Sequence, residues 1–271
     1  MAGTTFQTNP YDLHKLLEEC HRGTLQLPDF QRSWVWDEDR IKSLIASVSR
    51  AFPVGALMTL DSGGQVNFKP RPVEGAPPEA RQATPQSLLL DGQQRMTSLY
   101  QVTLRGKVVE TVTPKNKKVR RWFYIDIRKA LDAAVDREEC IVGVPEDRVI
   151  RTDFGREVVT DISSPEKEYA ELMYPVSQVF DWDRWQDGFD KYWRGDENEA
   201  VRETFRSFKR QVLENFKYYR VPVISLDRST SKEAVCVVFE KVNTGGKPLD
   251  AFELVTAMYA ADGHELRKDW Y

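Results

Sequence analysis

The sequence predicts an α+β protein. Short apolar runs at residues 54–60 and 87–90 read as buried strands, and Val201, Phe205, Phe208, Val212 and Phe216 step along one helix face. Residues 104–127 read as a β-hairpin with a basic tip. At 271 residues the chain makes one large domain or two small ones, taking about 150 residues per domain. A chain of this length buries a core without disulfides or metal. With 41% apolar and 11% aromatic residues it is too apolar for a disordered chain.

Helical spacing starts with Leu13, Leu16, Leu17 and Cys20 within residues 11–22, and an extended piece at 25–27 ends at Pro28. Asp37 reads as an N-cap. Glu38 and Asp39 suit the dipole in the first turn, and Ile41, Leu44, Ile45 and Val48 form the buried stripe. Residues 62–86 contain GAPPEARQATPQ, show no period and are expected to form a mobile loop. The strand at 87–90 runs into DGQQR and a helical stripe of Met96, Leu99, Tyr100 and Thr103. Residues 140–180 mix extended pieces with loops, and a helical pattern begins at Asp181. Residues 220–226 read as a strand. Thr230 and Glu233 form a capping box for a helix through Val235, Val238, Phe239 and Val242. Asn243-Thr244-Gly245-Gly246 breaks that helix, and Pro248 opens a last one over residues 250–261.

A net charge of −3 excludes a globally basic nucleic-acid coat, though not a local basic patch. Three scattered cysteines without a CxxC pair, no signal-peptide pattern and no apolar run of about 18 residues point to a cytoplasmic chain off the membrane. His14, Glu18 and His21 share a helix face but lack the further ligand a zinc site needs. No G-x-x-x-x-G-K-[ST] loop exists, so a P-loop ATPase is excluded.

Four segments can carry chemistry. In Asp91-Gly92-Gln93-Gln94-Arg95 a strand gives way to a helix at a glycine. Such a turn offers unpaired N–H groups, a planar cation in Arg95 and a carboxylate in Asp91 for a divalent metal. A tight turn with a solvated polar first turn explains the same residues. In LPDFQRSWVW, Gln31 and Arg32 stand among Phe30, Trp34 and Trp36; core aromatics covered by Arg32 are the plain alternative. Asn243 and Thr244 precede two glycines, which fits ligand approach or a simple helix C-cap. Lys115, Lys117, Lys118, Arg120 and Arg121 form the dense basic cluster, a nucleic-acid contact or a solvated turn.

LPDFQRSWVW, LLLDGQQRMTSL and VFEKVNTGGKPLDAFELV, in this order, resemble the GmrSD-type N-terminal domain of bacterial defence and restriction proteins over about residues 10–260. The resemblance implies a ParB/sulfiredoxin-like small mixed sheet with surrounding helices and a helical C-terminal part. Residues 1–130 would form the nucleotide-binding core, and residues 131–271 a mostly helical part completing the same domain. It implies binding and hydrolysis of a nucleoside triphosphate with Mg2+ or another divalent cation, in defence against phage or modified DNA. An HNH-type nuclease domain in the full-length protein or a partner is implied, as is a homodimer. The chain stops in what reads as continuing structure, so a longer protein is expected. Asp91, Gly92, Gln93, Gln94 and Arg95 match the family motif completely, Gln31 and Arg32 match the upstream pair, and Asn243 and Thr244 the downstream loop. In the roles inferred for them, Arg32 and Arg95 neutralise phosphate, Gln93 or Gln94 orients water, and Asp91 holds the metal. The alternative is a non-enzymatic DNA-binding module on the same scaffold, and the scarcity of His and paired acids argues against a nuclease in this chain itself.

Overall fold

The computed structural model describes residues 6–242, and the chain is α+β. Its strands are β1 (Phe6–Asp12), β2 (Leu25–Pro28), β3 (Leu57–Asp61), β4 (Pro70–Arg71), β5 (Ser87–Asp91), β6 (Val109–Val112), β7 (Lys118–Asp126), β8 (Ile141–Pro145), β9 (Val149–Thr152), β10 (Glu157–Asp161), β11 (Met173–Pro175) and β12 (Arg220–Leu226). Its helices are α1 (Leu13–Arg22), α2 (Glu38–Ser49), α3 (Gln93–Leu99), α4 (Ile127–Leu131), α5 (Pro165–Glu171), α6 (Asp183–Tyr192), α7 (Glu199–Phe208), α8 (Glu214–Lys217) and α9 (Lys232–Val242). The chain weaves two units from alternating stretches, residues 6–34, 55–97 and 220–242 in one and 35–54 and 98–219 in the other.

The first unit is built on a mixed six-stranded sheet in the order β1-β12-β3-β5-β2-β4. β12 runs parallel to β3 and β2 parallel to β5, while the other neighbours are antiparallel. The central strands β3 and β5 are covered on both faces: Leu57, Met58, Leu60, Leu88, Leu89 and Leu90 are all buried, and so is Thr59, the one polar residue between them in β3 before Asp61. Met58, Leu60, Leu88, Leu90 and Leu226 join Val66, Phe68 and Val235 in one core cluster, against which Phe30 and Val238 pack.

Three expectations are corrected in this unit. Residues 6–12 form an edge strand, and the helix begins at Leu13 with Asp12 Oδ1 accepting from Lys15 N–H at 3.2 Å. β1 is mostly exposed and contains Pro10, so no apolar alternation announces it. Residues 62–86 are packed rather than loose. β4 pairs with β2 there, and Val66, Phe68, Val73 and Ala80 are buried singly, which leaves no period to read. The turn reaches close to Gly23, the left-handed C-cap of α1, where a Cβ would stand 2.3 Å from the Ala80 carbonyl oxygen. Helix α9 is capped by Ser231, whose Oγ accepts from Ala234 N–H at 3.3 Å, while Thr230 one residue earlier is buried. The expected helix over 250–261 lies outside the described residues.

In the second unit β7 is the hub of a four-stranded sheet. It pairs with β6 at its start, β8 along its middle and β11 at its end. The stripe Phe205, Phe208, Val212 and Phe216 is buried as its spacing predicts, carried through a π-helical turn (Lys209–Leu213) between α7 and α8. Trp185, Phe189 and Tyr174 complete this aromatic core, Trp185 stacking on Phe189 at 5.1 Å. Cys20 in the first unit and Cys140 in the second are buried free thiols, and burial pushes Cys20 up to about 12. Among the described residues no helix is long and apolar enough to cross a membrane.

Glu168 is a buried carboxylate of the second unit. Tyr124 Oη donates to its Oε1 at 2.7 Å, Trp185 Nε1 donates to its Oε2 at 3.1 Å, and Arg148 Nη1 stands 3.6 Å away. Burial raises its pKa above the ordinary 4.5, and these donors and the Arg148 charge only partly offset that. A raised carboxyl stabilises the fold most below its unfolded value of 4.5, and this contribution is lost as pH rises through the folded value. Urea unfolding between pH 4 and 7 is therefore expected to show the stability difference between wild type and Glu168→Gln moving against the wild type as pH rises. A pH-independent difference contradicts it.

Candidate functional site

The DGQQR turn sits at the end of the central strand β5. Gly92 has φ +93°, and a Cβ there would stand 2.2 Å from Leu57 Cδ2, so a side chain is excluded both by backbone and by space. The reversal lets Gln93 open α3, with Met96 N–H donating to the Gly92 carbonyl at 2.9 Å. Arg95 folds back along the turn. Its Nη2 donates to Asp91 Oδ2 at 3.0 Å and to the Ala56 carbonyl at 2.9 Å. Gly55, at φ +88°, makes room, because a Cβ there would meet Arg95 Nη1 at 2.5 Å. Asp91 and Arg95 thus compensate each other's charge on a partly exposed surface.

Beside this turn runs the segment from Asp29 to Trp34, which has left β2 and has no strand neighbour. Side chains satisfy much of its backbone instead. Gln93 Nε2 donates to the Arg32 carbonyl at 2.5 Å and Gln94 Nε2 to the Ser33 carbonyl at 3.2 Å. Gln31 points the other way, its Nε2 donating to the Leu89 and Leu90 carbonyls at 2.9 and 2.8 Å. Arg71 Nη2 reaches the Gln31 and Arg32 carbonyls, and Glu74 Oε1 accepts from both Arg71 Nη1 and Trp34 N–H. Asp29 N–H donates to the Lys69 carbonyl at 2.9 Å.

The three glutamines are therefore buried tethers. Their amide nitrogens are committed to main-chain oxygens, so Gln31 has no donor left for a phosphate. Gln31 Oε1 is buried with no hydrogen-bond partner among the described residues, and reversing the amide would set this oxygen against two carbonyls. Arg32 is exposed at the crest of the segment, and its guanidinium makes no hydrogen bond or ion pair among the described residues. Trp34 is half-buried. Asn243 and Thr244 lie outside the described residues. Arg71 and Glu74 escaped sequence reasoning, because they stand in a stretch without period and their partners are 39 and 40 residues away.

The basic cluster occupies the tip and second strand of the β6–β7 hairpin, in the other unit. Arg120 is paired with Glu146 at 2.6 Å and Glu110 at 3.8 Å, and Arg121 with Glu38 at 3.1 Å. Lys115, Lys117 and Lys118 are exposed and make no ion pair among the described residues. Among those residues no three His, Cys, Asp or Glu side chains group as a metal site. Asp91 is the single carboxylate of the DGQQR turn. That donor set fits Mg2+, which takes one or two protein carboxylates and otherwise phosphate oxygens and water.

The family model of the GmrSD restriction endonuclease, N-terminal domain, matches residues 13–260. An uncharacterized protein of Methanocaldococcus jannaschii is 26% identical over 257 residues, which cover 92% of this chain and 41% of that relative. The chain thus spans less than half the length of this curated relative.

The tethering makes a stability prediction. Gln31→Leu keeps the volume but strips the Leu89 and Leu90 carbonyls of their side-chain donor. Urea unfolding is expected to show a loss of about 1–3 kcal/mol, and unchanged stability contradicts the tether.

Proposed function

Because the chain belongs to the GmrSD restriction endonuclease N-terminal domain family, we propose that it is the nucleotide-handling part of a restriction system. In this reading it binds a nucleoside triphosphate with a divalent cation, hydrolyses it, and so regulates DNA cutting carried out by an HNH-type nuclease domain of the full-length protein or a partner. The observation that carries the reading is the exposed Arg32, held on a tethered segment whose Arg32 and Ser33 carbonyls are gripped by the DGQQR turn itself.

The chemistry follows from charge. Phosphoryl transfer is helped mainly by fixed positive groups at the transferring phosphate. Arg32 supplies one, and Arg95 a second once a phosphate replaces Asp91 as its partner. Asp91, released from Arg95, would hold Mg2+, which when bound supplies further charge neutralisation on the phosphates. Gln93 uses one N–H of its amide on the Arg32 carbonyl, which leaves its Oε1 to orient an attacking water, and Gln94 serves as the second tether. The family resemblance assigns Asn243 and Thr244 to the same role of ligand binding. The lysine tip Lys115, Lys117 and Lys118 is the DNA-facing part, acting in the cytoplasm, and the chain works as a homodimer.

Equilibrium titration with ATP, GTP, CTP and UTP in magnesium tests the reading. Wild type is expected to bind at least one of them, and Arg32→Ala and Arg95→Ala each to weaken that binding by about tenfold or more, since charge-assisted hydrogen bonds are lost. Released phosphate is expected to fall with binding. Equal binding by wild type and both variants removes the site. Salt-dependent DNA binding without any nucleotide effect favours the non-enzymatic module instead.

A further inference from the structure

Arg32 is an exposed arginine on a segment outside any sheet, and such a side chain ordinarily samples many directions. Here the peptide groups on either side of its Cα are both held. The Gln31 carbonyl belongs to the peptide before Arg32 and the Arg32 carbonyl to the peptide after it, and Arg71 Nη2 donates to both, at 3.0 and 3.1 Å. Fixing those two peptide planes fixes φ and ψ of Arg32, and with them the direction in which its side chain leaves the backbone.

The Arg32 carbonyl also accepts from Gln93 Nε2, so both its lone pairs are taken, one by the DGQQR turn and one by Arg71. Arg71 is aimed in its turn. It stands on the short edge strand β4, paired with β2, and its Nη1 donates to Glu74 Oε1 at 3.1 Å. The same oxygen accepts from Trp34 N–H at 3.0 Å, which closes the far end of the segment. Glu74 compensates the Arg71 charge as well, so the uncompensated cation on the crest is Arg32.

We propose that Arg71 and Glu74 are positioning residues for nucleotide binding, acting through the backbone of Arg32 to aim its guanidinium at the phosphates. The inference rests on the nucleotide reading of this site. If Arg71 is lost, the binding-competent direction of Arg32 becomes one among several, and apparent affinity falls in proportion to the competent fraction.

The test is a double-mutant cycle in the full chain, with Arg71→Met and Arg32→Ala singly and together, titrated with the non-hydrolysable analogue of whichever triphosphate the wild type binds, in magnesium. Arg71→Met is expected to weaken binding about tenfold when Arg32 is present, corresponding to about ten accessible directions, and to have no further effect in the Arg32→Ala background. Glu74→Gln keeps an oxygen for Arg71 and Trp34 N–H and is expected to bind like wild type, whereas Glu74→Ala behaves like Arg71→Met. Near-ultraviolet circular dichroism checks that each variant is folded, and if Arg71→Met is not, Glu74→Ala takes its place in the cycle. Equal weakening in both backgrounds, or no weakening, overturns the positioning role while leaving the nucleotide site in place. A wild type that binds none of the four triphosphates removes the site and this role with it.

Discussion

A peptide segment that leaves a sheet but stays packed must find new partners for its N–H and C=O groups, because buried unpaired ones cost about 1–3 kcal/mol each. The structure around the DGQQR turn is an answer to that constraint. Between Asp29 and Trp34 the ladder of β2 has ended, and side chains from three other stretches take over: Gln93 and Gln94 from α3, Arg71 from β4, and Glu74 from the turn after it. Gln31 reciprocates by donating to β5. The two motifs are thus two halves of one hydrogen-bonded object, in which the side-chain amides serve the backbone of the neighbouring segment.

Charge is arranged on the same frame. Asp91 and Arg95 hold each other across the turn, and Gly55 and Gly92 open the space that lets Arg95 fold back. Such a pair, partly exposed, contributes little to stability. Its consequence is rather that two opposite charges compensate each other across the turn, and under the proposed function a nucleotide and its cation would bring new partners for both. Arg32 has no such partner among the described residues, and it stands where three successive carbonyls are anchored.

Local sequence revealed what depends on local periodicity. The strands at 25–27, 87–90 and 220–226, the hairpin, and the aromatic stripe from Phe205 to Phe216 are found as expected, because each carries its own apolar pattern. β1 carries none, being an exposed edge containing proline. Residues 62–86 bury single apolar side chains at irregular intervals and so read as a loop. Asp91 to Arg95 stood out as a motif, but the tethering task of Gln93 and Gln94 did not, because their partners are 61 residues away in sequence. Arg71 and Glu74 had no local signature at all.

The tethers hold the segment from Asp29 to Trp34 in place without any ligand. Amide hydrogen exchange resolved by residue, in the chain without nucleotide, reads this directly at the N–H groups of Asp29, Gln31 and Trp34, which donate to the Lys69 carbonyl, the Pro28 carbonyl and Glu74 Oε1. A fixed segment exchanges them far more slowly than the exposed hairpin-tip amide of Lys115. Exchange at all three as fast as at Lys115 would mean that the cradle is not preformed and that these hydrogen bonds do not persist in solution.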